Sequence, residues 1–405
     1  MTALGAIQAT NFILPLLTIP YVIITVGEIR FGIITFAQSF FSYLLYIVDY
    51  GFNITITRDI SLHKEDKSYL NRVVSDVLII KVVLIIFTAF LTIISIFFIP
   101  KFQAETWVYC GGFLLVVGQA FVPLWFYQGI EKMQYLTYAN VLGKVFFTFL
   151  IFVLVKTPED YIYILPLYAL GNLLSGIFGV FWMFYHFGIS WQKPSKQSIS
   201  HQLKASWYPF ISNFSINSYI NANILILGFL TNDTLVGYYS IADRLIGALK
   251  QLLVVFFQAT YPTACRIALK GHINLLLFFK KLAYPFCIAV LLGCLGLFVF
   301  SKEITFLLTK KNLIEVSILI EMLSFVLFVI ALNIPAYQTL LAYNYQKSYT
   351  KVFVIGSLFN IIINFVLTSS FNIYGTAIAV ILTELFITVG LYAILHIIHY
   401  KHRIL

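Results

Sequence analysis

The sequence predicts an all-α polytopic membrane protein with about twelve transmembrane helices. Hydrophobic residues make up 60% of the 405 residues, charged residues only 10%, and the mean hydropathy is +0.92. An average soluble protein has about 25% charged residues. Apolar runs long enough to cross a bilayer follow one another along the whole chain with short polar breaks between them. This pattern indicates one helical bundle in the membrane rather than a soluble domain with an anchor.

The apolar runs define twelve predicted spans. A helix of about 20 residues rises 1.5 Å per residue and crosses a hydrocarbon core of about 30 Å. The first run begins at Thr2 without a basic segment before it, so we expect a true span rather than a cleaved signal peptide. The predicted spans are residues 2–26, 32–56, 73–99, 105–128, 136–155, 161–187, 206–230, 237–262, 276–300, 313–342, 352–370 and 375–399.

The distribution of basic residues predicts the orientation in the membrane. Of the 26 Lys and Arg residues, sixteen lie in the even-numbered connections and the tail, whereas six lie in the odd-numbered connections. Basic residues collect in cytoplasmic loops, so both termini are expected in the cytoplasm. The net charge of +10 is then a topology signal rather than a nucleic-acid patch.

Two long basic breaks, residues 57–72 and 188–205, divide the predicted spans. The second, GISWQKPSKQSISHQLKAS, is rich in Pro, Ser, Lys and Gln and follows six spans. We therefore expect an N-terminal six-helix lobe at 1–190, a cytoplasmic linker at 191–205 and a C-terminal six-helix lobe at 206–405. FGIITFAQ at 31–38 and VGYYSIAD at 236–243 match weakly, which fits parallel repeated halves or chance similarity between apolar helices.

Four basic residues remain inside the predicted spans. Each costs about 2.5–3.5 kcal/mol at a helix centre. Two lie near cytoplasmic helix ends and can snorkel to the surface, whereas Lys250 lies near the middle of its span. The four cations either pair across helices or line a cavity that binds a phosphate or another anion. They are Lys81, Lys144, Arg244 and Lys250.

Acidic residues also lie within the spans, including Asp243, Glu321 and Glu384. Intramembrane carboxylates either pair structurally or exchange a coupling ion, here H⁺ or Na⁺. We expect no other cofactor. The four cysteines form no CxxC motif and have no histidine at metal-ligand spacing, so neither a disulfide nor a metal site is expected.

Asparagine recurs at every fourth position of the seventh span, at Asn213, Asn217 and Asn221. Positions four apart share one helix face, so the three amides form a stripe. Such amides either hold helices together, at about 0.6 kcal/mol each, or line a polar cavity that binds hydroxyl groups. Asn360 with Asn364, and Gln119 with Gln128, form shorter polar stripes of the same kind.

Several stretches resemble the Wzx-type O-antigen flippases of the multidrug/oligosaccharidyl-lipid/polysaccharide exporter superfamily. Asp49 and Arg58 match the family pattern of the opening helical pair, and Gln128 matches the end of the fourth helix. The matching stretches are NFILPLLTIPY at 11–21, FGIITFAQSFFSYLLYIVDYGFNITITRDIS at 31–61, PLWFYQGIEKM at 123–133 and LGFLTNDTLVGYYSIADRLIGAL at 227–249.

The resemblance implies twelve helices in two six-helix lobes around a central cavity, in a bacterial inner membrane. It implies transport of polyprenyl-diphosphate-linked O-antigen repeat units to the periplasmic leaflet for lipopolysaccharide synthesis, with other assembly proteins and membrane lipids as partners. The diphosphate would meet the four buried cations and the glycan the asparagines. Another exporter of the superfamily, such as a drug/cation antiporter, is an alternative. A membrane-embedded glycan polymerase is disfavoured by the short outer loops, so we expect no enzyme.

Overall fold

The computed structural model describes the backbone of residues 2–401 and the side chains of residues 14–15, 17–214 and 221–398. Over residues 2–401 the regular structure is helical without a strand, which confirms the predicted all-α class. The chain divides into two compact units, Met1–Asn221 and Ala222–Leu405. The division lies inside a helix that begins at Lys196, so the end of the predicted linker at 191–205 is helical.

The first unit contains eight helices and the start of a ninth among its described residues. They are α1 (Thr2–Asp49), α2 (Phe52–Leu62), α3 (Lys67–Phe98), α4 (Pro100–Ala104), α5 (Thr106–Ala120), α6 (Leu124–Gly129), α7 (Met133–Leu154), α8 (Tyr161–Tyr185) and α9 (Lys196–Leu230). A 3₁₀ turn at Pro158–Asp160 precedes α8.

The second unit takes the end of α9 and five further helices. They are α10 (Asp233–Ala268), α11 (His272–Val299), α12 (Ser301–Thr309), α13 (Ile314–Ala342) and α14 (Gln346–Lys401).

Eight helical stretches in the described part of the chain are long and apolar enough to cross a membrane. Two of them, Leu17–Leu62 and Gln346–Ile398, each cover two predicted spans, so the eight account for ten of the twelve. The other two predicted spans correspond to α9 and α10, whose asparagines and charged residues lower their hydropathy. The chain is therefore a multi-pass membrane protein.

Two helices contain a backbone break where the sequence predicts a connection between spans. Gly27 has φ 80° and ψ 168° inside α1. Asn372 has φ 52° and ψ −130° inside α14. Both conformations lie outside the right-handed helical region, so the axis changes direction there without a loop.

The turn between α1 and α2 requires glycine at position 51. Gly51 has φ 75°, a left-handed conformation that disfavours residues with a Cβ. A Cβ at Gly51 would also lie 2.7 Å from the backbone nitrogen of Phe210 in α9. Glycine therefore allows both the sharp turn and the close approach of α9.

Small residues bring α7 and α8 together. A Cβ at Gly143 would lie 2.5 Å from the carbonyl oxygen of Gly171. Ser175 Oγ donates to the Ala139 carbonyl across the same contact at 3.0 Å. Close backbone approach at small residues is a common way to pack helices in membranes, where burial from water supplies little driving force.

The connection between α8 and α9 is bound to the first turns of α3. Asn71 Nδ2 donates to Ser190 Oγ at 2.7 Å, and the Ser190 backbone N–H donates back to Asn71 Oδ1 at 2.9 Å. The Gln192 backbone N–H donates to Ser75 Oγ at 3.0 Å. Further on, Ser198 Oγ donates to the buried Asp76 carboxylate. Despite its polar composition, this segment is fixed along one side of the first unit.

In the second unit, α13 packs against α10, α11 and α14. Polar bonds accompany the apolar contacts: Gln338 Nε2 donates to the Phe257 carbonyl of α10 at 3.0 Å. Tyr392 of α14 donates through its hydroxyl to the Leu332 carbonyl of α13 at 2.9 Å. The first of these bonds satisfies a fully buried amide N–H group, because Gln338 is not exposed at all.

Candidate functional site

A polar cavity lies within the first unit. Its volume is about 220 Å³. The end of α1, the start of α2, the middle of α3 and the junction of α5 with α6 form its walls. The lining residues are Leu45, Tyr46, Val48, Asp49, Asn53, Lys81, Gln119, Ala120, Val122 and Leu124.

The cavity exists where a helix is interrupted inside a predicted span. The helix α5 ends at Ala120, and α6 begins only at Leu124, after Pro123. Proline has no backbone N–H, so it cannot continue the hydrogen-bond ladder of a helix. The Gln119 carbonyl accepts from the Val122 N–H at 3.2 Å, and the carbonyl groups at the end of α5 carry the negative end of the helix dipole.

Lys81 supplies the partner for this helix end. Its ammonium Nζ donates to the Ala120 carbonyl at 2.9 Å, and the side chain is only 2% exposed. Lys81 lies in the fifteenth position of α3, about 21 Å from the helix start at 1.5 Å per residue. The expectation that Lys81 snorkels to the surface is therefore wrong, because its charge is used inside the protein.

Asp49 provides the negative charge next to Lys81. Its Oδ1 lies 4.0 Å from Lys81 Nζ, an ion-pair distance that is too long for a hydrogen bond. Asn53, four residues later at the start of α2, donates through Nδ2 to both carboxylate oxygens of Asp49 at 2.8 Å. Among the described residues, Asn53 Oδ1 is buried without a hydrogen-bond partner. The site thus has one cation, one anion and unused hydrogen-bonding capacity facing a small cavity.

One asparagine of the predicted stripe in α9, Asn221, contacts the same wall. Asn221 Nδ2 donates to the hydroxyl of Tyr46 at 2.9 Å, and Tyr46 lines the cavity. Asn213 is half-buried on the same helix. The side chain of Asn217 lies outside the described residues.

The other predicted cations do not line this cavity. Lys144 is half-buried in α7, in the first unit. Arg244 and Lys250 belong to α10, in the second unit, and Lys250 stands at the middle of that helix as the sequence predicts. Asp243 precedes Arg244 on the same helix and is half-buried.

Two residues of the family pattern lie on the surface. Arg58 in α2 and Gln128 in α6 are exposed, and neither lines the cavity. Gln128 therefore does not join Gln119 in a common polar lining, whereas Gln119 does face the cavity. Of the three residues that match the family pattern, Asp49, Arg58 and Gln128, only Asp49 lines the cavity.

The polar residues of α14 form a buried network in the second unit. Asn364 Nδ2 donates to Asn223 Oδ1 at 2.6 Å, and Asn360 Nδ2 donates to Thr383 Oγ1 at 3.0 Å. Asn360 and Asn364 are completely buried. This arrangement favours the role of joining α14 to α9 and the two halves of α14 to each other.

The predicted coupling acids of the second unit, Asp243, Glu321 and Glu384, lie on three different helices. Glu321 in α13 accepts a hydrogen bond from Ser301 Oγ of α12 at 2.6 Å. Glu384 in α14 is 5% exposed. Both carboxylates are thus held within the packing of their own unit.

The sequence alone does not identify Asn53 as the partner of Asp49, or the Ala120 carbonyl as the acceptor for Lys81. Asn53 follows Asp49 by four residues, but the turn at Tyr50 and Gly51 lies between them, so the contact is not a spacing within one helix. Pro123 was a visible signal for the break in the fourth predicted span. The pairing of Lys81 with Ala120 joins positions 39 apart and has no local signature.

The spans, together with ionisable residues buried at membrane depth around a cavity, are typical of membrane transporters. A family model described as "Polysaccharide biosynthesis protein" matches residues 1–268. The chain therefore belongs to the polysaccharide biosynthesis protein family.

Curated relatives match nearly the whole chain. A protein of Escherichia coli (strain K12) named "Putative O-antigen transporter" is 29% identical over 396 residues, covering 95% of this chain and 93% of the relative. A protein of the same name from Shigella dysenteriae is 23% identical over 383 residues, covering 94% and 95%. These names are those of transporters and not of enzymes, in agreement with the sequence prediction.

Solved structures show the same fold at low identity. The lipid II flippase MurJ in an inward closed conformation aligns with a TM-score of 0.74 and 13% identity, over 96% of this chain and 87% of MurJ. An inward-facing multidrug transporter of the MATE family, in the MOP superfamily, aligns with a TM-score of 0.74 and 13% identity over 99% of both chains. The predicted resemblance to O-antigen flippases is confirmed by the family model and the curated relatives.

Proposed function

We propose that this chain is a flippase that moves polyprenyl-diphosphate-linked O-antigen repeat units from the cytoplasmic to the periplasmic leaflet of a bacterial inner membrane. The observation that carries the proposal is the similarity to the Escherichia coli "Putative O-antigen transporter" across 95% of this chain. The fold shared with a lipid II flippase supports it, because that protein also acts on a lipid.

The proposed mechanism is alternating access. The two lobes, predicted at 1–190 and 206–405, move so that the substrate site opens to one side of the membrane and then to the other. The excess of basic residues in even-numbered connections supports an orientation with both termini in the cytoplasm. Other O-antigen assembly proteins are proposed partners on either side.

In this proposal the diphosphate binds cationic side chains. Lys81 faces a cavity, and an ammonium has three N–H donors, of which the Ala120 carbonyl takes one. An anion that enters can therefore accept a charge-assisted hydrogen bond from Lys81. Lys144, Arg244 and Lys250 remain proposed anion-binding residues, and Asn213, Asn217 and Asn221 remain proposed glycan-binding residues.

Coupling to H⁺ or Na⁺ is part of the same proposal. Asp49 is a candidate because it lines the cavity beside Lys81 and about a third of its side chain is exposed. Asp243, Glu321 and Glu384 are the candidates in the second unit. Arg58 and Gln128, which are exposed, are proposed to act at the surface rather than in the cavity.

The test follows lipid-linked repeats in a strain that lacks the gene. Membrane vesicles of both orientations are probed with an impermeant lectin specific for the repeat. We expect the deletion strain to accumulate repeats on the cytoplasmic leaflet, and the wild-type chain to restore transfer. Accumulation on the periplasmic leaflet would instead indicate a polymerase or ligase.

The contribution of the site is measured in the same assay. Lys81→Met should lower the transfer rate by about tenfold or more, because a hydrogen bond to a charged group is lost. Lys81→Arg should retain more activity. Lys132→Met, at an exposed position after α6, is the matched control. Unchanged transfer by Lys81→Met at normal protein level would remove Lys81 from the proposed site.

A drug/cation antiporter is the second candidate, favoured by the alignment with the multidrug transporter over 99% of both chains. Under that function, cells without the chain would become sensitive to lipophilic cations and would export O-antigen normally. Normal drug resistance together with a loss of O-antigen would exclude it.

A further inference from the structure

A second cavity lies in the second unit, between α11, α13 and α14. Its volume is about 310 Å³, within the range of about 300–1,000 Å³ that is usual for ligand pockets. The walls are mainly apolar, with Phe279 and Ala283 from α11, Pro335 and Ala336 from α13, and Tyr392 from α14. The hydrogen bond from Tyr392 to the Leu332 carbonyl fixes the wall between α13 and α14.

The cavity lies on a helix with little protein around it. Only 17% of the apolar window of α11 is buried, the lowest share among the eight long apolar stretches of the described chain. Leu282, Ile288 and Leu292 of this helix are exposed. In a membrane protein such a surface is in contact with lipid, so the cavity is accessible to hydrocarbon chains.

One charged residue lines this cavity. Lys280 lies among the apolar lining residues and is exposed, and Lys281 beside it is exposed as well. No carboxylate of the described residues lies within 4.0 Å of Lys280 or Lys281. The positive charge at the cavity is therefore uncompensated.

The surrounding sequence strengthens this positive character. No Asp or Glu occurs between Arg244 and Lys302, or between Met322 and Thr383. These segments include all of α11, most of α13 and the first part of α14. Lys280 is the ninth residue of α11, about 12 Å from its start at 1.5 Å per residue. That start is cytoplasmic in the proposed orientation, so Lys280 lies near the phosphate region of the inner leaflet.

We propose that this cavity binds an anionic phospholipid of the cytoplasmic leaflet, with one acyl chain between α11, α13 and α14 and the phosphate on Lys280. Basic pockets between transmembrane helices on the cytoplasmic side are suited to such headgroups. The charge complementarity selects an anionic lipid over a zwitterionic one. The site is separate from the cavity of Lys81 and does not depend on the transported substrate.

The test is native mass spectrometry of the full chain purified in detergent. Cardiolipin, phosphatidylethanolamine and a polyprenyl phosphate are titrated separately and then in competition. We expect cardiolipin to bind more tightly than phosphatidylethanolamine, and Lys280→Ala to weaken cardiolipin binding by about fivefold, since each lysine near a lipid surface contributes about that factor. Lys270→Ala, an exposed lysine that does not line the cavity, is the charge control.

A second variant tests the cavity itself. Ala336→Leu should fill part of the space and reduce lipid occupancy, whereas Ala289→Leu, on an exposed position of α11 outside the cavity, should not. Equal binding of phosphatidylethanolamine and cardiolipin would overturn the proposal, because the site would then select only hydrocarbon. Displacement of cardiolipin by stoichiometric polyprenyl phosphate would also overturn it, because the cavity would then belong to the transported lipid.

Discussion

Lys81 shows how a single buried cation acquires a structural partner that its own helix does not provide. Its ammonium stabilises the end of α5 and stands 4.0 Å from the carboxylate of Asp49. For Lys81 the sequence predicts either a partner at membrane depth or snorkelling to the surface. It does not identify that partner, because the bonded group is a backbone carbonyl, which every residue has.

Removal of the Lys81 charge should reduce stability. Lys81→Met leaves the Ala120 carbonyl without its donor and Asp49 without its counter-charge, and an unsatisfied buried acceptor costs about 1–3 kcal/mol. The free energy of unfolding in detergent measures the loss. The double variant Lys81→Met/Asp49→Asn should recover part of it, because no unpaired charge remains. Asp49→Asn alone completes the cycle, and a loss in the double variant equal to the sum of the two single losses would show that the side chains are not coupled.

At the scale of the helices, breaks and close approaches determine where the cavity forms. The sequence predicts that spans 1 and 2, and spans 11 and 12, are separate, and the structure shows backbone breaks at Gly27 and Asn372 in these places. The interruption at residues 121–123 falls inside a predicted span. Hydropathy misses it because Phe121, Val122 and Pro123 are apolar, although their backbone is not helical.

The turn at Gly51 should tolerate no side chain. Gly51→Ala should lower the free energy of unfolding by about 2 kcal/mol or more, since it combines a left-handed backbone with a collision against the Phe210 nitrogen. Gly188→Ala is the matched control, with φ 64° but only Lys67 Nζ nearby at 3.6 Å. Equal losses in both variants would mean that the approach of α9 is not close.

The contact between α7 and α8 should be similarly sensitive. Gly143→Ala should cost about 1–3 kcal/mol, because a Cβ 2.5 Å from the Gly171 carbonyl forces the helices apart. Gly293→Ala in α11 meets nothing within 4 Å and should instead stabilise by about 0.5–1 kcal/mol. Chemical unfolding of both variants measures the difference, and a stable Gly143→Ala protein would contradict the packing described.

At the scale of the whole molecule, the connection between the predicted lobes is fixed to one unit. Hydropathy and charge identify this segment as polar and basic, but they cannot show that Asn71, Ser75 and Asp76 of α3 hold it. Those bonds join residues more than a hundred positions apart. The sequence is sufficient for the number and order of most spans, whereas long-range polar bonds depend on the packed structure.

The fixed connection should resist proteolysis. Asn71→Ala removes both hydrogen bonds to Ser190, so trypsin should cleave faster after Lys196. Asn274→Ala is the control, because Asn274 is exposed and bonds to the Lys270 carbonyl one turn before it. The fragments are quantified by mass spectrometry over time. Identical cleavage in both variants would show that the Asn71 bonds do not protect this segment.

The proposed orientation can be tested with reporters at the ends of several spans. Green fluorescent protein fused after Ser195 or at the C terminus should fluoresce, because it folds in the cytoplasm. Alkaline phosphatase fused after Lys311 should be active, since that connection is predicted on the periplasmic side. The opposite pattern of activities would reverse the proposed direction of transport.

Lys81 also makes the positive charge at the end of α5 insensitive to the ions in solution. A free cation from solution would bind the C terminus of a helix to an extent that depends on its concentration. The ammonium of Lys81 is attached to α3, so its effective concentration at Ala120 is set by the chain itself. The positive charge at this position is therefore independent of the salt inside or outside the cell.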